Sequence, residues 1–155
     1  MQAGTETDSD GTCYAWFEWY PNYSIGITNF PVSPGDVISL VLCSTSTTTA
    51  WMSIGNLTSK KYTNFSFTAP SGTTLVGNCA EAVVERPTVG GVLAELPRYG
   101  EVFFDDTTAY TAKGLTCAIG LGTAISMVAD DGTTVISAPT FEADTDAFKV
   151  AYTGP

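Results

Sequence analysis

The 155-residue chain contains no histidine, and only 14% of its residues are charged. The missing imidazole closes most familiar hydrolytic mechanisms, because serine and cysteine hydrolases usually move their proton through it and zinc enzymes usually hold their metal with it. Basic residues are scarce too: six Lys and Arg stand against sixteen Asp and Glu, a formal net charge of -10. That surface repels phosphates and argues against nucleic acid as a partner. No apolar run approaches the ~20 residues that span a bilayer as a helix. No window of ten or more residues carries a helical apolar stripe, and no Cys-x-x-Cys pair suggests zinc or redox chemistry. The start, Met1-Gln2-Ala3-Gly4, has neither the basic n-region nor the apolar core of a signal peptide. A secretion signal is therefore expected to have been removed or to lie outside this sequence.

What remains is 44% apolar and 12% aromatic, with an exterior of Thr and Ser hydroxyls more than of ions. One domain over residues 1–155 is expected, since a chain of this size buries roughly 70% of the surface it exposes when unfolded. Near ~pH 4 carboxylates are about half protonated, so many acids and few bases keep self-repulsion small there. The balance points to an extracellular protein of an acidic medium, with no membrane and no nucleic acid among its partners.

Seven segments are short, β-branched or aromatic, and bounded by Gly, Pro, Asp or Asn: Val37 to Cys43, Ala50 to Ile54, Tyr62 to Phe67, Val102 to Phe104, Ala124 to Val128, Thr134 to Ile136 and Phe148 to Tyr152. They read as strands. Asp131-Gly132 between Val128 and Val135 predicts a tight hairpin, and Pro34-Gly35-Asp36 punctuates the approach to another strand. With so little helical signal, the fold class is all-β, a sandwich of two antiparallel sheets. Four widely spaced cysteines, Cys13, Cys43, Cys79 and Cys117, predict two disulfides. Cys43 ends one expected strand and Cys79 begins another, which favours that pair and leaves Cys13 with Cys117. Sequons at Asn22, Asn56 and Asn64 fit a secreted glycoprotein.

Two segments could carry chemistry. If Tyr14 to Tyr20 is a strand, Tyr14, Trp16, Glu18 and Tyr20 share one face and Ala15, Phe17 and Trp19 the other. Either Trp16 and Tyr20 are core and Glu18 an edge charge, or the face is an aromatic groove with an acid in its floor. In Asn78 to Glu85, strand geometry would put Glu81, Val83 and Glu85 on one side and Ala82 and Val84 on the core side. The tripeptide Asp131-Gly132-Thr133 reverses the Asp-Thr-Gly order of pepsin-like proteases and reads as a turn.

Gln2-Ala-Gly4, Tyr14 to Pro21, Pro34-Gly-Asp36, Asn56-Leu-Thr58, Ala80 to Glu85 and Tyr99 to Phe104 stand in the order and approximate spacing of the glutamic peptidases, or eqolisins. The chain resembles that family along nearly its whole length. The resemblance implies a concanavalin-like sandwich of two antiparallel sheets and a secreted acid endopeptidase acting on polypeptides. It implies no metal and no cofactor. It places the catalytic glutamine on Gln2 and the catalytic glutamate on Glu81, with Trp16, Glu18 and Tyr20 lining the cleft and Glu85 as a neighbour on the substrate side. Ala82 departs from the Trp usual in the family. A further departure is the absence of family strands ahead of the glutamine, so a separate N-terminal segment or propeptide is an expected partner. The implied chemistry needs no imidazole, because a glutamate of ordinary pKa, about 4.3, already suits a base that works in acid. The alternatives from other classes are a non-catalytic peptide- or carbohydrate-binding sandwich using Trp16, Trp19 and Trp51 as stacking platforms, and a fragment inactive without its N-terminal strands.

Overall fold

The computed structural model describes residues 1–143 and 145–155. Its backbone forms two compact units, Met1–Gly77 and Asn78–Pro155. The described residues hold antiparallel strands and one 3-10 turn, Ile119–Leu121, with no α-helix, so no helix is long and apolar enough to cross a membrane. The all-β antiparallel class expected from the short apolar runs is what forms.

The first unit carries six strands: β1 (Gln2–Thr7), β2 (Cys13–Glu18), β3 (Ile25–Pro31), β4 (Ile38–Ser44), β5 (Thr49–Asn56) and β6 (Lys61–Thr68). They make two three-stranded sheets, β1-β2-β3 and β4-β5-β6. Their inner faces meet in a core of Ala15, Phe30, Met52 and Ile54, with Phe17, Leu42, Phe65 and Phe67 packed against it. β5 is the central strand of its sheet, and its alternate residues Ala50, Met52, Ile54 and Asn56 are wholly buried. Phe17 bridges the two sheets, its ring 4.7 Å from Phe65 and 4.9 Å from Phe67. The face of β2 that enters the core is thus Ala15 and Phe17, continued by Trp19, which is 5% exposed against Phe67. Buried there, Trp19 cannot serve as an exposed stacking platform.

One buried polar residue ties this unit together. Asn56 Nδ2 donates to the Pro31 carbonyl at 3.1 Å and to Asp36 Oδ2 at 2.7 Å, and the Ser59 N–H donates to Asn56 Oδ1 at 2.9 Å. Asp36 Oδ2 also accepts from the Ser33 N–H at 2.8 Å. The Pro34-Gly35-Asp36 turn, the end of β3 and the end of β5 share one network. An amide so enclosed cannot carry a glycan, so the sequon at Asn56 is a structural site.

The second unit contains β7 (Thr88–Val89), β8 (Val92–Leu93), β9 (Glu101–Phe104), β10 (Thr108–Tyr110), β11 (Thr116–Ala118), β12 (Met127–Val128), β13 (Val135–Phe141) and β14 (Phe148–Tyr152). β12-β13-β14-β9 form a four-stranded sheet, and β7-β8 and β10-β11 are two-stranded ladders. Gly90 and Gly91, both at positive φ, make the two-residue loop between β7 and β8. Phe148 stacks on Phe104 at 4.5 Å across the β14–β9 pair. Pro139 sits inside β13 without breaking the ladder, because it pairs with Val150 on β14 while β12 reaches only as far as Ser137.

Asp131-Gly132 makes the expected turn between β12 and β13. Asp131 Oδ1 accepts from the Thr133 and Thr134 N–H groups, both at 2.8 Å, and Thr134 Oγ1 donates to Oδ2 at 2.5 Å. The Thr134 hydroxyl, then the Thr134 and Thr133 amides, hold this carboxyl down from the usual 3.8 to about 2. A lowered folded value means the stabilisation is complete above the ordinary aspartate range and is lost as pH falls through about 2. Asp131→Ala should therefore lower Tm by a constant amount above about pH 5, with the gap from the parent closing toward about pH 2. Thermal melts across that range check it; a gap independent of pH would refute the turn's role.

The disulfide expectation is overturned. All four cysteines are free. Cys79 does not begin a strand, which removes the geometry that favoured pairing it with Cys43. The other thiols engage their own surroundings: Cys13 Sγ lies 3.3 Å from Thr7 Oγ1, and Cys43 and Cys117 donate to the Ser44 and Ala118 carbonyls.

Candidate functional site

β1 and β2 pair antiparallel with Gln2 opposite Glu18, Gly4 opposite Trp16 and Glu6 opposite Tyr14. Because side chains alternate along a strand, these six positions share the face turned away from the core. Residues directly opposite across such a ladder have Cβ atoms about 5 Å apart. Gln2 is thereby set beside the Glu18 carboxylate on an accessible sheet face, next to Trp16. Gly4 lies against the indole, and a Cβ added there would meet Trp16 Cζ2 at 3.6 Å, an ordinary van der Waals contact. Farther along the same face, burial and then the neighbouring Glu6 carboxylate push the Tyr14 phenol up to about 12.

Of the two readings open for this strand, the structure selects the one in which Trp16 and Glu18 lie off the core. Tyr20 differs from expectation. β2 ends at Glu18, so Tyr20 does not continue the Trp16–Glu18 face; it stands in a turn, 73% exposed, ahead of a cis peptide to Pro21. Trp51 is half-buried on β5, on the face opposite Met52 and Ile54.

The other expected segment, residues 78–85, belongs to the second unit and pairs with no strand. Its burial nevertheless alternates: Glu81, Val83 and Glu85 are exposed, while Ala82, Val84 and Arg86 are half-buried. The two-residue period comes from an extended backbone and survives without a ladder. Glu81 makes no hydrogen bond or ion pair among the described residues, so its carboxylate is open to solvent. Gln2 stands in the first unit and Glu81 in the second.

Each unit also has a hollow. In the first, about 290 Å³ lies beside Phe17, Trp19, Tyr23, Ile25 and Phe67, at the end of the sandwich where β2 runs out. In the second, about 470 Å³ opens around Arg86, Asp130 and Tyr152. Arg86 Nη2 donates to Asp130 Oδ1 at 2.6 Å. Sequence reasoning did not single out either residue. The signal was the lone cation, Arg86, in an otherwise acidic and apolar stretch, on the inward side of the alternation. Among the described residues no three His, Cys, Asp or Glu side chains gather to hold a metal ion.

Antiparallel sheets that display an amide, a carboxylate and an indole on one outer face define a β-sandwich protein with a polar, histidine-free candidate site. The chain belongs to the Peptidase A4 family, whose model matches residues 1–152. It is 34% identical over 85 residues to scytalidopepsin B of Scytalidium lignicola, covering 55% of this chain and 33% of that protein. With aspergillopepsin-2 of Aspergillus niger it shares 29% over 119 residues, covering 75% of this chain and 42% of that one. The chain thus spans less than half the length of both curated relatives. Among solved structures, aspergilloglutamic peptidase from Aspergillus niger matches with a TM-score of 0.81 at 25% identity, covering 95% of this chain and 84% of that chain. Scytalido-glutamic peptidase, solved with a transition state analog inhibitor, matches with a TM-score of 0.84 at 22% identity, over 97% of this chain and 74% of that chain. The glutamic-peptidase resemblance read from the motifs is borne out, as is the antiparallel β fold.

Proposed function

We propose that the chain is an acid endopeptidase that acts on polypeptides outside the cell, with Glu81 as general base and then acid and Gln2 as oxyanion donor. Glu81 takes a proton from a water that attacks the scissile carbonyl, and returns it to the leaving amine as the C–N bond breaks. The Gln2 amide N–H stabilises the oxyanion of the tetrahedral intermediate, a contribution of about 3 kcal/mol for one preorganised donor. An amide does not titrate, so only the acid sets the pH dependence. Trp16, Glu18, Tyr20 and Glu85 contact substrate around the pair. The mechanism draws on no metal and no cofactor. β1 is the edge of its sheet, and an N-terminal segment or propeptide adding a strand there belongs to this reading.

The observation that carries the proposal is the β1–β2 register, which sets Gln2 opposite Glu18 and beside Trp16 on an accessible face, within a chain matched to the family over residues 1–152. The test is hydrolysis of denatured casein at about pH 4, where carboxylate chemistry operates, with pepstatin present. Pepstatin-insensitive cleavage is expected; no cleavage with the N-terminal segment supplied would sink the proposal.

Secretion through a glycosylating pathway carries a sharper expectation. Asn22 and Asn64 are exposed, whereas Asn56 is fully buried. Site-by-site mapping after endoglycosidase treatment should find glycans at Asn22 and Asn64 and none at Asn56. A glycan on Asn56 would contradict its network with Pro31, Asp36 and Ser59.

A further inference from the structure

Arg86 closes the extended segment of the second unit with its side chain only 13% exposed, yet its ion pair is with Asp130, whose side chain is 81% exposed. The contact uses one nitrogen and one carboxylate oxygen, at 2.6 Å. A guanidinium has five N–H donors in a fixed fork. No buried side-chain nitrogen among the described residues lacks a partner, so the donors of Arg86 that Asp130 leaves unused are not sealed in protein. They have the hollow of about 470 Å³ that Arg86 lines. That volume falls within the roughly 300–1,000 Å³ of small-molecule sites.

The remaining walls restrict what the hollow accepts. Leu96, Ile136 and Tyr152 give it an apolar side, Tyr152 held by the ring of Tyr99 at 6.0 Å. Its other charged side chains are Glu95, which is exposed, and Asp131, and Pro155, whose carbonyl accepts from the Tyr152 hydroxyl, also lines it. The Asp131 oxygens already accept from Thr133 and Thr134, so this carboxylate does not compete for Arg86. A phosphate dianion entering here would meet three acids against one arginine. A monoanionic carboxylate meets less repulsion, and it matches the guanidinium fork with two parallel hydrogen bonds where Asp130 supplies one.

We infer that this hollow binds the C-terminal carboxylate of a peptide, displacing Asp130 from Arg86 and laying the terminal side chain against Leu96, Ile136 and Tyr152. The peptide nature of the occupant rests on the peptidase reading, because each hydrolysis creates a new C-terminal carboxylate. The site thus takes cleaved products or the ends of substrates. Asp130 acts as a built-in competitor that keeps the arginine paired when the hollow is empty.

The experiment is calorimetric titration of the intact chain with N-acetyl-phenylalanine and with its amide, at about pH 5, where the ligand's carboxyl is ionised. Neither compound has a peptide bond between amino acids to cleave, so turnover does not enter. The acid should bind at least about tenfold more tightly than the amide, the size of a charge-assisted bidentate contact. Arg86→Gln should abolish that difference. Asp130→Asn, a change at an exposed side chain, should tighten the acid several-fold. Equal binding of acid and amide, binding of neither, or preference retained in Arg86→Gln would overturn the inference. Inorganic phosphate binding as well as the acid would overturn it too, by showing an unselective anion site. Should Arg86→Gln fail to fold, Asp130→Asn decides alone, and unchanged or weaker binding of the acid counts against the site. Failure to cleave casein would leave this result standing, so the two readings fall separately.

Discussion

Glu81→Gln is expected to reduce hydrolysis by about 10⁴-fold, the upper end of what general acid–base catalysis contributes, with the fold intact. The replacement is nearly isosteric, and Glu81 is exposed and engages no hydrogen bond or ion pair among the described residues. Nothing holding the second unit together is therefore removed, and Tm should stay within about 1 °C, in line with surface substitutions worth less than about 0.5 kcal/mol. Gln2→Ala removes the proposed oxyanion donor and leaves the proposed base, so a loss of 10²–10³ in kcat is expected, roughly 3–4 kcal/mol. If both residues act in one transition state, the double variant will be barely slower than Glu81→Gln alone, since groups that work as a unit are strongly non-additive. Losses that add in full would show that the two act in separate steps. Unimpaired turnover by Glu81→Gln would end the proposed mechanism, and the matching thermal melts show that any loss arises in the chemistry.

Strands β4, β5, β6, β9 and β14 were legible because each is a run of β-branched or aromatic residues ended by a breaker, and their bounds differ from expectation by two residues or fewer. β1 was hidden: Gln-Ala-Gly-Thr-Glu-Thr offers no bulky apolar residue, and the strand exists because β2 pairs with it. β3 was hidden for another reason. Its inward residues Ile27 and Phe30 are an odd number of positions apart, because Asn29 at φ 58 lies in the stretch where the β2–β3 register slips. A bulge cancels the period on which strand reading depends. The β7–β8 hairpin turns on Gly90-Gly91, a signal as direct as Asp131-Gly132 but flanked by strands of only two residues.

The same contrast governs the site. Alternation correctly divided Tyr14 to Trp19 into two faces, but composition alone could not say which was core. The opposing rings of Phe65 and Phe67 decide that, and they lie some fifty residues away in the chain. Residues 81–85 keep the predicted alternation without becoming a strand, since side-chain period reports an extended backbone and pairing requires a neighbour. The disulfides failed because a cysteine count holds no distances. Asn56 shows how a motif misleads in the other direction. Read as Asn-Leu-Thr it marks a surface, yet the side chain is among the most enclosed in the first unit.

That enclosure makes Asn56→Ala the most damaging expected change to stability. Asn56 is 0% exposed, and removing its amide orphans the Pro31 carbonyl and the Ser59 N–H and takes one of two donors from Asp36 Oδ2. A group left without a partner costs about 1–3 kcal/mol, at the low end for the Pro31 carbonyl and the Ser59 N–H because both residues are exposed and water can reach them, while Asp36 Oδ2 keeps its bond from Ser33. The sum is about 2 kcal/mol, a fall in Tm of about 6 °C for a chain of this length. Because the network joins β3, β5 and the Pro34–Asp36 turn, hydrogen exchange should quicken at the ends of both strands and at Ser59, while the second unit's β13 and β14 keep their protection. Asn64→Ala, at an exposed asparagine of neighbouring β6, is the control, with an expected change within about 0.5 kcal/mol. If Asn56→Ala melts within about 2 °C of the parent, the three hydrogen bonds contribute little net stability, and the buried amide would have to be explained by specificity of the β3–β5 arrangement alone.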